Sequence, residues 1–178
     1  MSRRPILLHP DPRLKRRCAP VADVTDATRA LLSEMLATMY DAPGIGLAAP
    51  QIGVDARAIV MDCAEKETTR QPIAMLNPEI VAASDALNEH EEGCLSLPDI
   101  FGFVTRPAEV RVRWLSPEGQ IEERDFGGLW ATCVQHEIDH LNGKLFIDYL
   151  GAARRMLITA KMKKLKRERA KTAAAATV

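Results

Sequence analysis

The sequence has no long apolar run, no paired cysteines and no net charge, and each absence removes a class of protein. Nothing in it approaches the ~20 apolar residues that a helix needs to cross a bilayer. Cys18, Cys63, Cys94 and Cys133 are scattered without paired spacing, which speaks for free thiols rather than a disulfide scaffold. The first nine residues, Met1 to His9, hold only three consecutive apolar residues, too few for a secretory signal. These features predict a soluble, cytoplasmic protein with no membrane partner. No internal repeat is present, and 178 residues suffice for one domain that buries a core unaided. The net charge of zero is a cancellation. Residues 1–150 hold 15 basic against 23 acidic side chains, and residues 151–178 hold nine basic and one acidic. An acidic body carries a basic C-terminal arm, and such arms often meet polyanions.

What is present reads as α+β. Pro5, Pro10, Pro12 and Pro20 forbid a continuous helix in the first twenty residues, which are expected to be extended and wrapped on the surface. Thr25 is a candidate N-cap for a helix reaching about Asp41, with Leu31, Leu32, Met35, Leu36 and Met39 as its apolar stripe and Pro43-Gly44 after its end. Residues 44–53 hold three Gly and no charge, so this loop is expected to pack against something while leaving its backbone free to pair. Short strands follow at Ala58–Met61 and Ile73–Leu76, with a turn at Asn77-Pro78. The alternating run Val110–Trp114 reverses through Ser116–Gly119 into Gln120–Phe126, a hairpin. Gly127-Gly128 opens a helix that runs to Asn142 and stops at Gly143. It is expected to be buried all round except at Gln135 and Asp139. A last amphipathic helix covers about 152–170 and ends the single domain 1–170; residues 171–178 form a tail. In that helix Met156, Leu157, Ala160 and Leu165 are expected to pack on the body, with Arg155, Lys161, Lys163, Lys166 and Arg169 solvated.

The helix from Gly128 carries Gln135-His-Glu-Ile-Asp-His140. At about 100° per residue, His136 and His140 lie one turn apart on nearly the same face, and Glu137 falls on its shoulder. Two imidazoles so placed can close on one ion while the Glu moves protons for water at that ion. Hydrogen-bonded core histidines are the plainer alternative. Against it stands the buried Glu, which without a cation or donors would cost several kcal/mol. Cys94, in Glu92-Gly-Cys-Leu-Ser96, is the candidate third ligand. A thiolate with two imidazoles suits a borderline metal and leaves one coordination position open.

Three segments together resemble the signature motifs of bacterial peptide deformylases: Gly44-Ile-Gly-Leu-Ala-Ala-Pro-Gln51, Glu92-Gly-Cys-Leu-Ser96 and Gln135-His-Glu-Ile-Asp-His140. They match in order and approximate separation, and the similarity covers nearly the whole chain. The resemblance implies hydrolytic removal of the N-formyl group from the initiating methionine of new polypeptides, with release of formate. It implies one divalent ion on Cys94, His136 and His140, usually Fe(II) in the family, with Ni(II), Co(II) or Zn(II) as other occupants of isolated protein. It makes Glu137 the proton carrier, and makes the Gln51 amide and the backbone N–H of Leu95 stabilisers of the developing oxyanion.

Ile45, Gly46 and Gly93 are candidates to pair through their backbones with an extended formyl-methionyl peptide. Ile45, Leu129 and Cys133 are candidates for the methionine pocket. Glu92 is expected to pair with Arg106 and brace the Cys94 loop. His90 and Phe101 stand where many relatives of the resembled family have an apolar residue and an Arg; His90 is expected at the pocket edge rather than on the ion. The basic helix 152–170 is a candidate contact with the ribosome. Two rivals remain. A zinc endopeptidase shares His-Glu-x-x-His but usually takes its third ligand downstream, where no His follows His140 and Asp148 is the only acidic residue before the tail helix. A metal-stabilised module that binds nucleic acid would need a fourth protein ligand rather than a catalytic Glu.

Overall fold

The computed structural model describes residues 3–65 and 69–175. Its elements are α1 (Asp26–Asp41), β1 (Gly46–Ala48), β2 (Ala58–Met61), β3 (Ile73–Ala83), β4 (Leu87–Cys94), β5 (Leu97–Pro107), β6 (Glu109–Leu115), β7 (Ile121–Gly127), α2 (Gly128–Leu141) and α3 (Ala152–Ala175), with 3-10 turns at Pro12–Lys15, Ala49–Ile52 and Phe146–Tyr149. The strands form an antiparallel sheet in the order β1-β2-β3-β6-β7 and a separate β4–β5 hairpin. The fold is α+β, as expected.

β2 shows how the layers are laid down. All four of its residues are buried. Ile59 and Met61 face α2 with Val112, Trp114, Val134 and Ile138. Ala58 and Val60 face α1 with Leu32, Met35 and Met39. The two-residue period of a strand therefore feeds two cores, one on each side of the sheet. A third core, with Leu14, Leu97, Ile100, Phe146, Ile147, Ile158 and Met162, joins the hairpin, the N-terminal segment and α3. Each fully buried aliphatic or aromatic side chain contributes about 1.5–3 kcal/mol, and α2 lies where the first and third cores meet.

The local signals hold for α1 and α2. Thr25 caps α1, its hydroxyl accepting from Thr28 N at 3.2 Å. β7 runs straight into α2 through Gly127 and Gly128, the latter at φ +56°. Gly143, at φ +73°, follows the end of α2.

Six expectations need correction. The first twenty residues are not merely draped on the surface: Pro12–Lys15 is a 3-10 turn and Leu14 is fully buried. Backbone bonds from Leu7 to Gln51, His9 to Ser96 and Cys18 to Leu141 stitch this segment to the body. The Gly-rich loop 44–53 holds a strand, β1, and a 3-10 turn. Asn77 does not end its strand. It takes φ +50°, which Asn tolerates better than most residues, and its amide bonds both Val21 N and Val21 O at 2.8 Å while β3 continues through a bulge. Gln135 is buried, because its amide is satisfied by Pro107 O at 3.0 Å and Ala131 O at 2.9 Å. In α3, Met156 and Leu157 are each 71% exposed and Ala160 is exposed, whereas Ile158 and Met162 are buried and Leu165 is partly so. Two apolar stripes compete on that helix, and the groove beside Leu14 and Phe146 selects the one at i, i+4, i+7. The helix also continues to Ala175 rather than ending near 170; residues 176–178 lie outside the described part. No helix among the described residues is long and apolar enough to cross a membrane.

Candidate metal centre

α2 supplies two imidazoles and a carboxylate from a buried face. His136 and His140 are buried, their ring centroids 5.0 Å apart, and Glu137 beside them is buried as well. Cys94 arrives from the tip of the β4–β5 hairpin, where Cys94 pairs with Leu97 and a register shift falls between Gly93 and Cys94. The tip is held from several sides. Ser96 accepts from His9 N through its carbonyl at 2.9 Å, and its hydroxyl receives Gln51 Nε2 at 3.2 Å. The Gln51 amide also reaches Cys94 Sγ at 3.4 Å, and its oxygen receives Ala48 N at 2.8 Å.

One ligand atom from each of Cys94, His136 and His140 lies within 4.8 Å of the others, and Cys94 Sγ is 3.3 Å from His140 Nε2. A sulfur and a nitrogen bound tetrahedrally to one ion at the usual bond lengths stand roughly 3.5 Å apart, so the spacing fits. His136 Nδ1 is 2.8 Å from Glu92 Oε2. Burial opposes charge on Glu92, but hydrogen bonds from His136 and Arg106 outweigh it and hold its pKa below the usual carboxylate value. The proton between them therefore sits on Nδ1, so Nε2 is the atom left to face an ion, which on binding displaces any proton there. Burial disfavours charge on His136, but hydrogen bonds to Cys94 and Glu92 outweigh it and hold its pKa well above the ordinary value. Burial and the neighbouring His136 hold His140 well below it. Glu137 Oε2 is buried with no hydrogen-bond partner among the described residues. Burial pushes its pKa up to about 7, against the pull of His136. A cation beside that oxygen removes both anomalies at once.

The predicted Glu92–Arg106 pair is present and bidentate: Nε to Oε1 at 2.6 Å and Nη2 to Oε2 at 3.0 Å, with both side chains almost wholly buried. Asp148, the downstream acid that a protease-like site would recruit, is instead engaged by Lys15 and by Leu145 N at 2.8 Å.

A cavity of about 620 Å³ opens on this centre. Ile45, Gly46, Gly93, Leu129 and Cys133 all line it, as do Gln51 and Leu95, so every predicted substrate residue meets there. Ile45 and Leu129 are 44% and 39% exposed, so they stand at the cavity rather than in a core. The expectation for the Ile45 backbone needs correction, since its carbonyl is already taken by Asp62 N at 2.8 Å. In an antiparallel ladder that bond turns the next residue outward, and the N–H and C=O of Gly46 face away from β2 along the open edge of the sheet. His90 lines the cavity edge, its Nδ1 bonded to Glu91 O, and Phe101 lies over Gly93. Reading the sequence assigned no role to Ser96 or Thr132, or to Asp139 behind Arg106. Thr132 had one available signal: it sits three residues after Leu129 and four before His136, on the cavity face of α2.

Similarity to known proteins agrees with this geometry. The polypeptide deformylase family model matches residues 3–156. The chain is 48% identical to the peptide deformylase of Mesorhizobium japonicum over 170 residues, covering 96% of this chain and 97% of that protein. It is 51% identical to the peptide deformylase of Afipia carboxidovorans over 164 residues, covering 92% and 96%. Among solved structures, a peptide deformylase from Legionella pneumophila superposes with a TM-score of 0.87 at 44% identity, covering 95% of this chain and 98% of that one. One from Ehrlichia chaffeensis gives 0.89 at 36% identity, covering 94% and 98%. With Cys94, His136 and Glu137 lining its cavity and His140 within ligand distance of the first two, the chain belongs to the peptide deformylase family, metal-dependent hydrolases that remove the N-formyl group from nascent polypeptides.

Proposed function

We propose that Cys94, His136 and His140 hold the divalent ion and that Glu137 moves the proton in this chain's deformylation. The observation that carries the assignment is the buried Glu137 carboxylate, one oxygen without a partner, beside three convergent ligand atoms. A bound ion supplies Lewis acidity to the formyl oxygen and lowers the pKa of water. Glu137 takes a proton from the water whose oxygen adds to the formyl carbon. It returns that proton to the amine nitrogen as the C–N bond breaks, leaving formate and a free N-terminus. The Gln51 amide and the Leu95 N–H at the hairpin tip steady the negative oxygen of the tetrahedral species. Gln51 already spends its two N–H groups on Cys94 Sγ and Ser96 Oγ; the longer bond, to sulfur, is the one it trades.

The outward-facing backbone of Gly46 and the Gly93 segment grip the peptide as an added strand. Ile45, Leu129 and Cys133 receive the methionine side chain. Main-chain pairing is indifferent to downstream side chains, which suits an enzyme that meets almost every nascent chain. Fe(II) is the proposed ion in the cell. The basic face of α3 is proposed to dock on ribosomal RNA, which places the enzyme in the cytoplasm beside its substrates.

Protein purified without oxygen and analysed for metal should release formate from formyl-methionyl peptides and leave an internally cleavable peptide intact. Cleavage of the internal peptide without formate release would make the site an endopeptidase centre.

A further inference from the structure

The hydrogen bonds behind His136 do not end at Arg106. Arg106 Nη1 donates to Asp139 Oδ2 at 2.8 Å, and the Tyr149 hydroxyl donates to the same oxygen at 2.8 Å. The guanidinium carbon also lies 4.9 Å from the centre of the Tyr149 ring. Glu92 and Arg106 are buried, whereas Tyr149 is 47% exposed. Five side chains thus run from the surface to an imidazole of the metal centre: Tyr149, Asp139, Arg106, Glu92 and His136.

We infer that Asp139 and Tyr149 are positioning residues for the metal centre, acting through Arg106 and Glu92 on the ring of His136. This rests on the assignment of Cys94, His136 and His140 as ligands. The guanidinium is a rigid fork with five donors. Glu92 takes Nε and Nη2, which fixes one edge of the fork. Asp139 takes Nη1 and fixes the other. Held on both edges, Arg106 cannot swing on its long stem, and the Glu92 carboxylate keeps the oxygen that meets His136 Nδ1 in place. Charge points the same way. Arg106 alone would cancel Glu92, and Asp139 restores one negative charge behind the ligands, as a dication favours. Tyr149 pins the Asp139 oxygen that Arg106 uses, on a side chain 14% open to solvent.

Outer supports of metal-bound histidines are typically worth tenfold to a hundredfold in metal affinity. The test loads wild type, Tyr149→Phe, Asp139→Asn and Val112→Ala with Co(II). It records the visible spectrum, the rate of metal transfer to excess chelator and the Tm of each protein. Val112 is buried in the core shared by the sheet and α2 and touches none of the five side chains by hydrogen bond, so it reports general loosening. Expected are roughly tenfold faster metal loss in Tyr149→Phe, a larger rise in Asp139→Asn, and shifted Co(II) bands in both. Val112→Ala should lower Tm and leave both metal readouts at the wild-type value. Unchanged transfer and spectra in the two network variants, or an equal rise in Val112→Ala, overturns the inference. A wild-type Co(II) spectrum without a thiolate-to-metal band would overturn the ligand assignment itself, before any variant is compared.

Discussion

Gly46 presses against Glu137 so closely that a methyl group built on its Cα would lie 2.4 Å from the carboxylate Oε1 and 2.8 Å from Cys133 Sγ. The glycine is required by this approach rather than by its backbone angles, and it lets the edge of a sheet come up to the floor of the cavity.

Gly46→Ala should therefore damage catalysis more than stability. Overpacking of a tight site costs about 1–3 kcal/mol. The displaced carboxylate should lower the turnover of a formyl-methionyl peptide by ~10² or more, the range for losing a general acid–base. Formate release measured beside a urea midpoint separates the two effects. Near-normal turnover would show that Glu137 need not stay where it lies.

Glu137→Ala should stay folded, keep its metal and lose at least ~10² in rate. Without an ion, burial holds this carboxyl near 7, so removing it relieves a strained interior charge, and the metal-free variant should be no less stable than metal-free wild type at neutral pH. A variant that loses metal and melts would make Glu137 structural.

Cys94→Ala removes one of the three convergent ligand atoms, and the thiolate among them. Metal content should fall and deformylation should vanish. Air should also inactivate the Fe(II) form with time, since the ion and a thiolate that lines the cavity are both open to oxidation; Ni(II) or Co(II) protein should last longer. Full metal and activity in Cys94→Ala would move the centre elsewhere.

The cations of α3, exposed at Lys161, Lys163 and Arg169 but half-buried at Lys166, where solvation was expected, give a salt-sensitive prediction. Changing Lys161, Lys163, Lys166 and Arg169 together to Glu should leave activity on short peptides unchanged and weaken co-sedimentation with ribosomes at low salt. Lys166 is the test of detail, because its Nζ also reaches Leu8 O at 3.4 Å; restoring Lys166 alone should recover any lost Tm without restoring co-sedimentation. Unchanged co-sedimentation would leave α3 a solvated helix.

His9 sets a pH dependence of stability. It is buried with Nε2 2.9 Å from Thr159 Oγ1. Burial lowers its pKa in the fold, helped by the nearby Lys15, Lys166 and Lys163 and opposed by Asp148. The unfolded chain therefore binds the proton more readily. The stability is fully present above the unfolded value near 6.5 and is lost as pH falls from there through the folded value, by at most about 1.4 kcal/mol per pH unit. Urea midpoints at descending pH should fall less steeply in His9→Gln than in wild type; equal slopes would remove His9 from the account.

The sequence by itself determined the parts whose causes are local. Thr25 and the apolar spacing after it delimit α1, and the His136–Glu137–His140 spacing fits one helical face without knowledge of what surrounds it. The chemistry of the site was legible for the same reason, since ligand type and a shared helix face are properties of a few neighbouring residues. The β4–β5 hairpin was not legible. Its first strand, with Asn88, Glu89, His90 and Glu91 in a row, is mostly exposed and lacks the alternation that marks a half-buried strand. The docking stripe of α3 was misread because two stripes were equally apolar and only the groove beneath could choose. Tertiary structure also decided what surrounds the ion. Cys94 meets His140 across 46 residues of chain, and Arg106 finds Glu92, Asp139 and Tyr149 from three different elements. Contacts of that separation depend on how the hairpin, α2 and the Phe146–Tyr149 turn pack, and no local propensity encodes a packing angle.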